Sequence, residues 1–164
     1  MTEQQVDLLC MSPASSPAGR RLIISIKPKY MSEILEGRKT VELRKASTQI
    51  LAGSRMVLYS TSPTQAIVGE ATVEFRDKLE LEDLWRIHGD SARISHGEFM
   101  AYYEGCVEGV ALGLSDVMMY EYPLALSALR KRDVDFRPPQ SYMRVPAELS
   151  ELLEGRAALG VFAA

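Results

Sequence analysis

Within eight residues, 37–44, the spacing of apolar side chains changes from that of a helix to that of a strand. Met31, Ile34 and Leu35 recur at i, i+3 and i+4, one face of a helix. Gly37 follows, and a glycine there supplies the left-handed conformation that closes a helix C-terminus. From Gly37-Arg38-Lys39-Thr40 the chain runs into Val41-Glu42-Leu43-Arg44, where the period is two. Val41 and Leu43 are expected to face a core, and Thr40, Glu42 and Arg44 the opposite side. That side sets a carboxylate two residues, about 7 Å of strand, from a guanidinium, with Lys39 at the strand entrance. Charges fixed in this way suit an anionic or hydrogen-bonding ligand. They equally suit an edge strand whose charged face is solvated.

The surrounding chain alternates strands and helices. Leu22–Lys27 is apolar and β-branched, a buried strand, and Pro28 fits the first turn of the helix that Gly37 ends. Lys27, Lys29 and Tyr30 lie at that junction, where a helix N-terminus with lysines beside it can hold a phosphate or simply meet solvent. Arg55–Ser60 is a second apolar strand, and Thr61-Ser62-Pro63-Thr64 a turn. In Ala66–Phe75 the alternation puts Ile67, Gly69, Ala71, Val73 and Phe75 on one face and Val68, Glu70, Thr72 and Glu74 on the other. Glu70 and Glu74 would stand ~13 Å apart, too far to share a proton. Either can face the Lys39–Arg44 side.

Leu81, Leu84, Trp85 and His88 share a helical face, so His88 reads as packed rather than ligating. Ser95 and Glu98 have capping-box spacing, opening a helix with Phe99, Tyr102 and Tyr103 that stops at Gly105. Residues 107–122 read as a long strand or a hairpin, with Ala111, Gly113 and Ser115 leaving room for a close neighbour. A short helix is expected at Leu124–Leu129, followed by the basic Arg130-Lys131-Arg132. The stiff Pro138-Pro139 step then fixes Gln140, Ser141 and Tyr142, either as a structural wall or as a binding wall. Residues 146–155 form an amphipathic helix, and the apolar 157–164 folds back. Residues 1–20, rich in Ser, Pro and Ala without a period, read as a disordered leader to one domain, 21–164.

Charge narrows the function. The net charge is −3, which argues against a general nucleic-acid coat. Yet residues 20–55 carry nine basic and three acidic side chains, while 56–164 carry ten and seventeen. A basic field on an acidic protein favours a specific anionic ligand. Two cysteines, Cys10 and Cys106, do not make a disulfide framework; free thiols in a reducing cytoplasm are the simpler reading. No clustered Cys or His suggests a metal, no phosphate-binding glycine loop suggests a nucleotide cofactor, and no apolar run spans a membrane.

The pattern Gly37-x-Lys39-x-x-Glu42-x-Arg44 resembles the signature of the ASCH domain, a branch of the PUA-like superfamily. The likeness extends through the strand around Glu70 to Phe136-Arg137-Pro138-Pro139-Gln140-Ser141-Tyr142, covering most of 21–145. The resemblance implies an α+β fold, a PUA-like small β-barrel flanked by helices, with a charged cleft for unpaired RNA or a nucleoside. Lys27, Lys39, Glu42, Arg44, Gln140, Ser141 and Tyr142 are its candidate binding residues. Lys39 and Arg44 would contact phosphate, and Gln140 and Tyr142 would read or stack a base. Glu70 is its cleft acid. An alternative implied by the same resemblance is a small hydrolase, either a ribonuclease or an N4-acetylcytidine amidohydrolase. In the latter, Lys39 and Glu70 would be catalytic, and Glu42 stands where that family has a threonine. A regulatory adaptor in transcription or translation is the third reading.

Overall fold

A computed structural model gives the fold, described for residues 20–154, 156 and 158–161. The leader expected over 1–20 therefore lies outside the described residues except for Arg20. Strand β1 (Arg21–Ile26) leads into helix α1 (Pro28–Leu35), with Pro28 in its first turn. The helix ends as its glycine requires: Gly37 has φ +76°, its N–H donates to Ile34 O (3.0 Å), and that of Arg38 donates to Glu33 O (2.9 Å). These two bonds are a Schellman closure. They turn the chain directly into β2 (Val41–Lys45).

Beyond it come β3 (Arg55–Ser60), β4 (Ala66–Glu80), α2 (Leu81–His88) and α3 (His96–Tyr102). The Ser95 hydroxyl accepts from the Glu98 N–H while the Glu98 carboxylate accepts from the Ser95 N–H, so the predicted capping box forms. β5 (Glu108–Ala125) is one 18-residue strand rather than a hairpin. Leu124 still belongs to it, so the next helix, α4 (Leu126–Arg132), starts two residues later than its apolar pattern suggests. β6 (Tyr142–Arg144), α5 (Ala147–Glu154) and β7 (Ala158–Val161) complete the chain.

The strands form one sheet in the order β2-β5-β4-β3-β1-β6, with β7 pairing antiparallel to β5. The fold-back of the apolar tail is thus a strand. Among the described residues only β1 and β3 pair in parallel; the other pairings are antiparallel. Three register shifts in the β4–β5 ladder and one in β3–β4 bend the sheet. It curls into a half-barrel around Leu22, Ile24, Ile26, Met56, Leu58, Val110 and Leu112, closed at one end by Met31 and Ile34 of α1. Helices α4 and α5 cover one stretch of the outer face through Leu129, Leu149 and Leu153. Helices α2 and α3 cover another through Leu84, Phe99 and Tyr103, packed on Val41 and Leu43. This is the small, barrel-like α+β architecture expected.

The same shifts overturn the simple two-face reading of β4. Ile67 packs with the α4–α5 core, whereas Val68, Ala71 and Val73 line the barrel. Phe75 joins the α2–α3 side. Each bulge flips the alternation, so residues of one parity do not keep one face. Gly113 does leave the predicted space: a Cβ there would lie 2.1 Å from the Phe75 ring.

Candidate functional site

The half-barrel has an open seam between its edge strands, β2 on one side and β6 beside β1 on the other. Arg44 crosses it. Its Nη2 donates to Ser25 O on β1 (2.8 Å), and its Nη1 lies 3.4 Å from Ser141 Oγ just before β6. A second bridge runs from the Gln49 N–H to the Tyr142 hydroxyl (3.0 Å). Ser25 adds a third link, donating from Oγ to Pro139 O (2.6 Å) while its N–H donates to Ser141 O (3.0 Å). The stiff Pro138–Ser141 segment is therefore tied to the barrel on both sides of its mouth.

Glu42 fixes Arg44 in that pose. Its Oε1 accepts from Arg44 Nε (3.1 Å), with Nη2 at 3.0 Å, and its Oε2 lies 3.3 Å from Lys39 Nζ. Lys39 Nζ also donates to Val41 O (2.8 Å) and Ala92 O (2.7 Å). Two of the ammonium's three N–H donors thus go to backbone carbonyls, and the Glu42 carboxylate pairs with its charge. All three charged side chains are buried: Lys39 is 4% exposed, Glu42 8% and Arg44 7%. The edge-strand reading with solvated charges is thus excluded, although β2 is an edge. The trio carries one net positive charge, and through Nη1 Arg44 reaches the exposed Ser141.

Aromatic side chains frame the trio. The Tyr30 ring centroid is 5.4 Å from Lys39 Nζ, and the Tyr30 hydroxyl is 3.3 Å from Glu98 Oε1, which also pairs with Lys29 at 2.5 Å. Burial, reinforced by the Glu98 charge, raises the Tyr30 hydroxyl above its usual range. Lys29 and Ser95 hold the Glu98 carboxyl down at about 2. The buried Tyr103 hydroxyl donates to Arg44 O (2.9 Å), and Tyr102 lies with its ring 5.1 Å from Lys45 Nζ. A cavity of about 290 Å³ is lined by Lys29, Tyr30, Asp90, Ile94 and the paired Glu33 and Arg93.

Gln140 and Ser141 are exposed at the seam, and Tyr142 is half-buried against the barrel core. Lys27 is exposed at the N-cap of α1, where its carbonyl, not its ammonium, makes the recorded bonds, to the Tyr30 and Met31 N–H groups. Glu70 stands elsewhere. Its Oε1 accepts from Arg21 Nη2 (2.5 Å) and from the Tyr120 hydroxyl (2.6 Å), and its Oε2 from Arg55 Nε (2.8 Å). Burial raises its pKa, but the Tyr120, Arg55 and Arg21 contacts outweigh that and leave it below the usual carboxylate range. The bulge between Ile67 and Gly69 turns Glu70 to the outer face, away from Glu42 and Arg44. On β5, five residues separate Met118, opposite Glu70, from Gly113, opposite Val41, about 16 Å.

His88 is buried, stacked on Phe75 and 2.8 Å from Asp77 Oδ2. Among the described residues no three His, Cys, Asp or Glu side chains converge as a metal set would. None of the described helices is long and apolar enough to cross a membrane. Sequence reasoning missed Ser25, whose signal was its place as the lone polar residue in Leu22–Ile26.

With that geometry in place, similarity to known proteins narrows the reading. Residues 21–130 match a family model described as "Domain of unknown function (DUF365)". The chain is 30% identical over 125 residues to an ASCH domain-containing ribonuclease of Zymomonas mobilis subsp. mobilis, covering 76% of this chain and 84% of that protein. A crystal structure of ASCH from Zymomonas mobilis superposes with a TM-score of 0.78 at 27% identity, covering 84% of this chain and 96% of that one. A large ribosomal subunit protein uL22 of Ureaplasma parvum is 30% identical over 106 residues, 65% of this chain but 34% of its own length.

Proposed function

The chain belongs to the ASCH-domain family, within the matched DUF365 domain, and from that premise we propose that it holds an unpaired RNA strand at the seam between β2 and β6. The observation that carries the reading is the buried Lys39–Glu42–Arg44 trio, positively charged overall, with one guanidinium edge presented at Ser141. A phosphate oxygen there would receive a charge-assisted bond from Arg44 Nη1 and a second from the Ser141 hydroxyl. Gln140 beside them offers an amide to a base edge, and Tyr30 a ring face. Lys39 has a different role from the direct phosphate contact its motif position suggests. Two of its donors go to the Val41 and Ala92 carbonyls and its charge sits beside Glu42, so it orients Glu42 and ties Ala92 to the start of β2.

Strand cleavage is the second reading, favoured by the 30% identity to a ribonuclease across most of that protein's length. In such a step the ribose 2′-hydroxyl gives its proton to water and attacks the adjacent phosphorus, the 5′-oxygen leaves and takes a proton from water, and Arg44 neutralises charge on the phosphoryl oxygens. Hydrolysis of N4-acetylcytidine has less support. It asks Lys39 and Glu70 to act on one substrate, yet they lie on opposite faces of the sheet. Lys39 is 4% exposed, and its Nζ is held inside by the Val41 and Ala92 carbonyls, which denies a substrate carbonyl access to it.

The test is a side-by-side measurement on single-stranded and duplex RNA at low salt, reading affinity by anisotropy and product length on a gel. Preference for the single strand is expected, with a log–log salt slope of about −0.7 for the one phosphate that Arg44 meets. No binding to either form would reject the reading, and deacetylation of N4-acetylcytidine would replace it.

A further inference from the structure

The Glu70 cluster has an unusual composition for a structural ion pair. Four adjacent strands supply it: Arg21 from β1, Arg55 from β3, Glu70 and Thr72 from β4, Tyr120 from β5. Arg21 and Arg55 are direct neighbours in the parallel β1–β3 ladder, one strand spacing or about 4.8 Å apart at the backbone. Like charges so placed repel. One arginine would satisfy Glu70, and the second leaves the cluster with an excess positive charge.

The carboxylate is fully engaged, with 5% of its side chain exposed, while the guanidinium side chains are 27% and 25% exposed. Arg55 uses Nε on Glu70 and Nη1 on Thr72, and Arg21 uses Nη2. Among the described residues nothing receives Arg55 Nη2 or Arg21 Nε and Nη1. Neither arginine is among the side chains with a buried unpaired atom, which are Ser54 and Arg76. The unengaged donors therefore open to the surface.

We propose that Arg21 and Arg55, held side by side by Glu70 and Tyr120, form a second oxyanion site that takes a phosphate group. Two forks, one strand apart, converge their remaining N–H groups on one tetrahedral anion. Glu70 does not act on substrate; it is a positioning residue whose ionised carboxylate stops the two guanidiniums from separating. On β1, Arg21 is four residues, about 13 Å, from Ser25, whose carbonyl anchors Arg44. A strand held at the seam can therefore extend to the outer face, making this site its next phosphodiester contact. That extension rests on the seam reading; the oxyanion site itself does not.

Two arms separate an RNA source from a free phosphate. In the first, affinity of the full chain for a 12-nucleotide single strand and for a dinucleotide is measured against salt, for wild type, Arg21→Gln and Arg55→Gln. Each variant keeps one arginine on Glu70. The 12-mer is expected to bind several-fold more weakly to each variant, with the log–log salt slope smaller by about 0.7, and the dinucleotide unchanged. In the second, inorganic phosphate is titrated into ¹⁵N-labelled wild type, where the Arg21 and Arg55 Nε signals should shift together. Wild-type RNA binding with unchanged slopes in both variants would overturn the RNA assignment. Phosphate shifts without RNA binding would keep the site and reject the seam reading. Absence of both effects would overturn the oxyanion site.

Discussion

The protein holds two clusters in which one buried carboxylate meets two cations, and they are built in opposite ways. At the seam, Lys39, Glu42 and Arg44 come from six consecutive residues, and all are less than a tenth exposed. On the outer face, Arg21, Arg55 and Glu70 come from three strands, and the arginines stay a quarter exposed. In the first cluster the cations are locked by backbone carbonyls, Lys39 on Val41 and Ala92 and Arg44 on Ser25. In the second, no backbone carbonyl among the described residues receives either guanidinium. Both carboxylates are buried, Glu42 at 8% and Glu70 at 4% exposure, so the exposure of the cations separates the two clusters. Glu42 holds the half-barrel shut, whereas Glu70 mainly sets the direction of side chains that water also reaches.

The largest effect that can break this comparison is neutralising each carboxylate in turn. Glu42→Gln leaves two buried cations uncompensated and is expected to cost about 3–5 kcal/mol in urea unfolding. Glu70→Gln should cost roughly 1–3 kcal/mol, since Arg21 and Arg55 can turn toward water. Equal losses would show that the two sites do not differ in solvent access. Next comes Lys39. Lys39→Met strands the Val41 and Ala92 carbonyls and should cost about 2–3 kcal/mol. Lys39→Arg is expected to destabilise as well, because a planar fork does not fit among three oxygens set around a compact ammonium. An arginine variant as stable as wild type would return Lys39 to the surface.

How much of this was legible in the sequence follows from the same contrast. The seam was readable because a glycine stop, a period of two and the fixed spacing of Lys39, Glu42 and Arg44 are local. Its burial was not, because closure depends on Ser25, Ser141 and Tyr142, which arrive from elsewhere in the chain. Glu70 was expected in the cleft and lies on the outer face for one reason: a bulge adds a residue to one strand without leaving a mark in the alternation. A faint signal existed in the arginine that precedes each of the apolar runs Leu22–Ile26 and Met56–Tyr59, the two strands that pair in parallel. The capping box at Ser95 and the Gly37 stop were readable because each is a backbone demand met within a few residues; small side chains marked the Gly113 gap, but its occupant, Phe75, comes from β4.

Acid sharpens the comparison further. Glu70 lies below its ordinary range, and Glu98 and Glu33 are held at about 2 against an unfolded value of 4.5. A depressed carboxyl contributes stability above its unfolded pKa and loses it as pH falls through the folded one. The unfolding midpoint should therefore fall between pH 4.5 and 2. Glu98→Gln should flatten that slope. An unchanged slope would mean that the Lys29–Glu98 pair beside Tyr30 does not persist in solution.

The smallest expected effect on stability belongs to Ser141, and it makes the most direct test of the seam as an RNA site. Ser141 is exposed, so Ser141→Ala should shift unfolding by no more than about 0.5 kcal/mol. Its hydroxyl is nonetheless the group beside Arg44 Nη1. Losing one hydrogen bond to a charged phosphate costs roughly 1.5 kcal/mol, about tenfold in affinity. Single-stranded RNA affinity of Ser141→Ala, measured beside its unfolding midpoint, is therefore predicted to drop about tenfold with the midpoint unchanged. Wild-type affinity in that variant would contradict the placement of the strand at the seam.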